Sequence, residues 1–573
     1  MRQAGGGFAW ERALLIVALA GIALGSLVAV SIPAGLGWDF ANYYDAGHKA
    51  LVGETVNLYD EQALIDGQPP QSNMLFLSAP ISSFFYAPLA LFDPPAALFL
   101  FKVENVVALL LALGVLFYSL RAHVREEDQL SFAALFFAAA LLFQPFWTVF
   151  RVGGQVTPTI MLLLAVGALF HSGRRFALSA LCFSMIVLIK PVFLPGAAFL
   201  AFASGRRFFI VSLLTGLSIA ALSVALLGFD LHLAFVERML LEGGRAWPSH
   251  YNSALTSALN HLVPDQCDAA GFCRVGGPAA IASTLIRAGA VIALIALYLR
   301  AWRGGMPESP RLHLAWMLAA ILPVMATPIV WAHYLSVVFL LVAFIIAMRR
   351  EFAKPALYLL AALVVFSVGQ NLIFILKIVA MTGMDGQGEQ IAMGLFKSVP
   401  LWLTLALFVA YGRSIINAYR TPSWTTLGDD FGLTGAAARL SADPRIRFIF
   451  TGGSLAVLNW LLRFPLSAAM PYEAAVILSA TAMTVVGFFL YREFVFQSSS
   501  PDIRRQIVLF MLVSAGAVAV TAAVSATASD FLEGVATLRR AEAEAFGHII
   551  GIAAAAVWNF LGHRYVTFAK KAA

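Results

Sequence analysis

The residues best suited to chemistry begin in GWDFANYYDAGHKALVGETVNLYD, at 37–60, directly after an almost uncharged apolar run. Asp39 closes that run. A carboxylate at the water boundary of a membrane is partly desolvated, which raises its proton affinity and suits it to taking a proton from a hydroxyl. The competing reading is a solvated acid at a helix end. Tyr43, Tyr44 and Tyr59 are amphipathic rings that serve equally as interfacial belt residues or as platforms for sugar rings. Further polar residues interrupt apolar surroundings: Gln155 in VGGQVTP, Lys190 before a proline, His250 and Asn252 in PSHYNSALTSALN, and His333 with Tyr334 in WAHYL. Lys190, Arg151 and Arg245 are cations on the side of the membrane where basic residues are scarce, the pattern of a phosphate site. Taken singly, each also reads as a helix anchor or a salt-bridge partner.

The elements that must position these residues are membrane helices. Of 573 residues, 60% are hydrophobic and 12% charged, about half the charge of an ordinary globular chain. Apolar runs of span length recur along the whole sequence, and none alternates like a barrel strand. Spans are expected near 12–33, 96–120, 130–147, 156–171, 176–190, 192–204, 208–228, 280–300, 312–329, 331–348, 355–378 and 398–412. Four more follow near 447–467, 473–491, 506–528 and 544–562. The proline-broken stretch APISSFFYAPLALF, 79–92, reads as a re-entrant or interfacial piece, and 37–60 as a polar loop.

Basic clusters fix the expected orientation, because short cytoplasmic loops collect Lys and Arg. Arg121 and Arg125, Arg174 and Arg175, Arg206 and Arg207, Arg300 and Arg303, Arg349 and Arg350, Arg413 and Arg420 all fall where even-numbered crossings emerge. Both termini are therefore expected in the cytoplasm and the 34–78 segment outside. The net charge of +7 is then orientation charge, and no nucleic-acid partner is implied. Cys267 and Cys273 share an outer loop and could pair in an oxidising compartment. Metal-ligand spacing, a Walker loop and a nucleophile elbow are not found in the sequence.

A polar stretch rich in Gly, Ser, Thr and Pro divides the chain into expected domains at 1–416 and 445–573, joined by a cytoplasmic linker at 417–444. The second domain carries an internal echo: FFLYREFVF and NFLGHRYVTF both place R-x-x-x-F, at Arg492 and Arg564, where a helix returns to the cytoplasm. Two tandem hairpins fit this, as does ordinary anchoring of helix ends. Asn459 and Asn559 are interior polar residues suited either to a head-group path or to helix–helix hydrogen bonds.

DFANYYDAG with LVGETVNLYD, then FFYAPLALF, GQVTPTIMLLL, LIKPVFLPG and WAHYLSVVFL occur in an order that resembles glycosyltransferase family 87, within the GT-C superfamily. RFIFTGGSLAVLNWLLRF with the two R-x-x-x-F ends resembles the GtrA-like proteins, although Tyr491 stands where that family usually has Asn. The first resemblance covers roughly 12–412 and the second 445–568. They imply an all-α, polytopic protein: a GT-C-like bundle of about twelve helices plus a four-helix GtrA-like bundle. They also imply transfer of a sugar, mannose, from a polyprenyl-phosphate donor to a lipid or glycan acceptor at the outer face of a bacterial inner membrane. Asp39 matches the family's catalytic acid and would act as general base for an inverting displacement that uses no metal or cofactor. His333 and Tyr334 match a His-Tyr pair that follows a Trp, while Gln155, Lys190 and Arg245 are candidate sugar or phosphate contacts. The second domain would move the lipid-linked donor between leaflets. Two other readings stand beside these: a non-enzymatic lipid-linked-sugar transporter, and a structural assembly factor.

Overall fold

A computed structural model describes residues 7–31, 38–59, 76–121, 124–151, 154–243, 245–246, 252–260, 273–274, 277–306, 308–349, 354–368, 386–418, 444–467, 470–491, 503–535 and 540–562. The architecture is helical, as composition requires, since a backbone in lipid must satisfy its hydrogen bonds internally. Among the described residues the one sheet is a two-residue antiparallel pair, Arg245–Ala246 against Cys273–Arg274. Cys267, residues 419–443 of the 417–444 linker, Arg492 and Arg564 lie outside the described residues.

The chain forms two compact units. The first comprises Met1–Asn42, Tyr59–Pro80 and Leu98–Ala437; the second comprises Tyr43–Leu58, Ile81–Ala97 and Ala438–Ala573.

In the first unit, α1 (Gly7–Ser31) packs on α5 (Gln129–Leu142). Helix α4 (Pro94–Arg121) ends in the basic residue Arg121. The span expected at 130–147 is not continuous. It breaks at Phe143 and bends by 45° into α6 (Gln144–Arg151). A core of aromatic rings fills this bend: Phe143, Phe146 and Phe136 all lie 4.9–5.5 Å from Phe339, measured between ring centroids. Helices α7 (Thr157–Ser172) and α8 (Phe176–Ile189) form a hairpin. Beyond it, α9 (Leu194–Ala203) lies against α14 (Glu308–Ala326), where a Cβ at Gly196 would run into the Ala319 carbonyl.

Helix α10 (Arg206–Leu227) is the least buried of the long apolar helices described, with 6% of its most apolar stretch buried. It is followed at once by α11 (Phe229–Gly243), an amphipathic helix not expected from the sequence. The signal was present: Phe229, Leu233, Val236 and Leu240 recur at helical spacing and form an exposed apolar stripe. Helix α12 (Ser257–Asn260) and α13 (Gly277–Arg303) come next, and α14 carries Pro323 inside it. Helices α15 (Phe339–Ala347), α16 (Lys354–Val368) and α17 (Gly386–Ala418) complete the unit. Arg349 ties the end of α15 to the start of α5, through Asp128 at 3.4 Å and Ser131 at 2.7 Å.

The polar loop expected at 37–60 is instead largely helical, as α2 (Trp38–Val52). Its last ten residues belong to the second unit. They pack on the proline-bounded segment in which α3 (Ser83–Tyr86) is a single turn flanked by 3-10 turns. This segment does not span, as the prolines dictate. Four long helices complete that unit: α18 (Pro444–Ser467), α19 (Tyr472–Leu490), α20 (Ile503–Val535) and α21 (Arg540–Gly562). Helix α21 packs closely on α20 because Gly547 and Gly551 face Ser529, Ser525 and Thr521; a Cβ at Gly551 would sit 2.6 Å from the Thr521 carbonyl.

Candidate active site

Helix α2 opens with Asp39 in its first turn, where the positive end of the helix dipole favours a carboxylate. Gln155 reaches it from the turn before α7. Gly154 permits that turn: its φ of +77° suits glycine, and Phe101 and Phe40 stand 3.1–3.4 Å from where a Cβ would be. The Gln155 side chain hydrogen-bonds the Asp39 carboxylate, and Lys190 lies close enough for its charge to act on the same group.

Lys190 is placed by a helix that cannot continue. Pro191 terminates α8, which leaves its last carbonyls without helical partners. The Ala79 amide donates to the Leu188 carbonyl at 2.9 Å and the Ser78 hydroxyl to the Ile189 carbonyl at 2.6 Å. Lys190 emerges from that capped end with its ammonium 5.5 Å from the Tyr334 ring centroid, a cation–π contact. It is also near enough to His333 for their charges to interact.

His333 and Tyr334 sit in the 3-10 helix Ala332–Val338. Asn252 fixes the chain just before it: its amide donates to the Pro328 carbonyl at 3.0 Å and accepts from the Ala254 and Val330 amides, each at 3.0 Å. Asn252 is fully buried and latches the backbone ahead of the His333 segment.

Asp39, Gln155, Lys190, His333 and Tyr334, far apart in sequence, are thus brought together. Burial holds the Asp39 carboxyl above its ordinary pKa, while Lys190 and Gln155 pull in the opposite direction. The Nε2 of His333 is buried without a hydrogen-bond partner, as are the hydroxyls of Thr157 and Ser336, two residues that sequence reasoning did not single out. Both follow a recognised polar residue by two or three positions, which was the available signal.

The tyrosines have structural duties. Tyr59 donates to the Ser78 carbonyl at 2.7 Å and packs near Phe235 of α11, whose Arg238 donates to the Tyr59 carbonyl. In the second unit the Tyr43 ring stacks on Tyr86 at 4.7 Å, and Tyr44 donates to the Phe92 carbonyl at 2.8 Å. Arg245 is described by its backbone alone, paired with Arg274, and His250 lies outside the described residues. Asn459 is buried in α18 and Asn559 partly buried in α21, each with its amide oxygen unpartnered. Among the described residues no His, Cys, Asp and Glu cluster is arranged to hold a metal.

Residues 76–328 match Glycosyltransferase family 87, and residues 447–568 match the GtrA/DPMS transmembrane domain. Each match covers part of the chain, the first ahead of the second. Together they support a membrane glycosyltransferase. Within the family 87 region lie Gln155 and Lys190; Asp39 precedes it and His333 follows it. No curated protein matches the chain.

Proposed function

We propose that the chain transfers a sugar, mannose in the simplest case, from a polyprenyl-phosphate donor to a lipid or glycan acceptor at the outer face of a bacterial inner membrane. The observation that carries the reading is the convergence of an enclosed carboxylate, Asp39, with a cation, Lys190, and two hydrogen-bonding side chains, Gln155 and His333. Asp39 takes the proton of the acceptor hydroxyl as that oxygen attacks the anomeric carbon. The bond from that carbon to the phosphate oxygen breaks, and the lipid phosphate leaves with the electron pair. Attack and departure on opposite faces invert the anomeric centre. Lys190 neutralises charge growing on the phosphate, and Gln155 holds Asp39 in line. Domain limits of 1–416 and 445–573, joined by a linker at 417–444, and cytoplasmic termini complete the reading, with the C-terminal domain moving donor between leaflets.

The test uses purified protein in liposomes with radiolabelled polyprenyl-phosphate-mannose and a membrane-lipid extract as acceptor. Transfer should fall by about 10²–10⁴-fold in Asp39→Asn, the range of a lost general base. Equal transfer by wild type and variant removes Asp39 from the mechanism. A second reading, a conduit for lipid-linked sugar without transfer, draws on the 45° break at Phe143 and the internal Pro323. It is favoured if labelled lipid crosses the bilayer while neither protein transfers sugar.

A further inference from the structure

The C-terminal helices contain a second group of buried polar residues with no part in the chemistry above. Arg463, near the end of α18, is 2% exposed. An ionised guanidinium inside a helical membrane bundle is costly unless it serves a partner. Its contact with Glu544 of α21 is loose, at 3.7 Å, beyond the 2.7–2.9 Å of a charge-assisted hydrogen bond. Glu544 is held more firmly elsewhere, by Arg540 at 3.0 Å, which also engages Asp530 at 3.0 Å and Glu533 at 2.6 Å.

All four helices contribute. The Arg463 guanidinium lies 5.4 Å from the Tyr472 ring centroid at the start of α19. The Tyr472 hydroxyl donates to the Glu544 carbonyl at 2.9 Å and lies 3.2 Å from the Ser529 hydroxyl of α20. One turn further along α21 from Glu544 is His548, 0% exposed, with neither ring nitrogen hydrogen-bonded and within reach of the Arg463 charge. One turn back along α18 from Arg463, Asn459 is buried with its amide oxygen unpartnered. Buried polar atoms of this kind are rare in folded proteins and call for a partner. Gly547 and Gly551 close the α20–α21 hairpin beside this group.

We propose that this group is a binding site for the phosphate head of a lipid, in which the phosphate replaces Glu544 as the counter-ion of Arg463. The guanidinium fork matches phosphate oxygens. His548 supplies a ring N–H to a phosphate oxygen of the same head group. Glu544 neutralises Arg463 when the lipid leaves, so the buried charge is never uncompensated. The lipid class, an isoprenoid phosphate, rests on the proposed function. The anion site itself does not.

The test is photolabelling of the full-length protein in detergent with a benzophenone-tagged farnesyl phosphate, scored by mass spectrometry on peptides of α18–α21. Arg463→Gln should reduce labelling there by about tenfold, the scale of one charge-assisted contact. Glu544→Gln removes the competing carboxylate and should raise labelling two- to threefold, an opposite sign that mere damage to an ion pair cannot produce. Excess inorganic phosphate should protect wild type. Equal labelling by the corresponding farnesol probe, or a loss of labelling in both variants, overturns the proposal. Sugar transfer is read separately: labelling without transfer would sink the transferase reading and leave this site standing, whereas transfer without labelling would sink the site alone.

Discussion

At the scale of residues, the proton affinity of Asp39 is the quantity that the site controls. Burial raises its pKa above the ordinary carboxylate value, and Lys190 and Gln155 limit the rise. A general base acts when ionised, so transfer should fall as pH drops through that raised pKa. Lys190→Met removes the nearby positive charge and leaves the carboxyl holding its proton more tightly. The acid limb of the pH–rate profile should therefore move to higher pH, with kcat reduced at neutral pH; an unmoved limb separates Lys190 from Asp39. The residue types in this site are legible in the sequence, because polar side chains stand out in an apolar chain. Their individual duties are not. Asn252 has the makings of a sugar contact by residue type, yet its amide is occupied by three backbone groups, and nothing in a sequence reports which hydrogen bonds a side chain has already made.

At the scale of elements, local patterns were reliable where one physical rule dominated. The prolines of 79–92 allowed only short turns, and the apolar runs became helices. Where two rules competed, the pattern misled. The stretch 37–60 is polar enough for a loop, yet α2 forms because one face of its successive turns buries Phe40, Tyr43 and Tyr44. The 130–147 run is apolar enough for a straight span, yet it bends where Phe143 fits among other rings. The most extensive element contact among the described residues is between α20 and α21, and it depends on glycine. Gly551→Leu would thrust a side chain into Ser525 and the Thr521 carbonyl. Such overpacking should cost about 1–3 kcal/mol, read as a lowered unfolding temperature in detergent; an unchanged midpoint would show that the hairpin can open.

At the scale of the molecule, orientation is the first property to check. Single cysteines introduced at Val56 and at Arg125, in a chain with its own cysteines replaced, should react with a membrane-impermeant maleimide from opposite sides, position 56 from outside. Labelling of both from the same side would overturn the charge-based topology. The sequence by itself determined the membrane class, the helical architecture, the order of the two family regions and the expected sidedness, because composition, span length and loop charge are local properties of a chain in a bilayer. Only the tertiary structure decided that Asp39, Gln155, Lys190 and His333 share one site, that residues 43–58 and 81–97 group with the C-terminal helices, and that Arg463, Glu544 and His548 meet inside a bundle. Each of those outcomes depends on which helix faces which, and that is settled by side-chain packing between segments far apart in the chain.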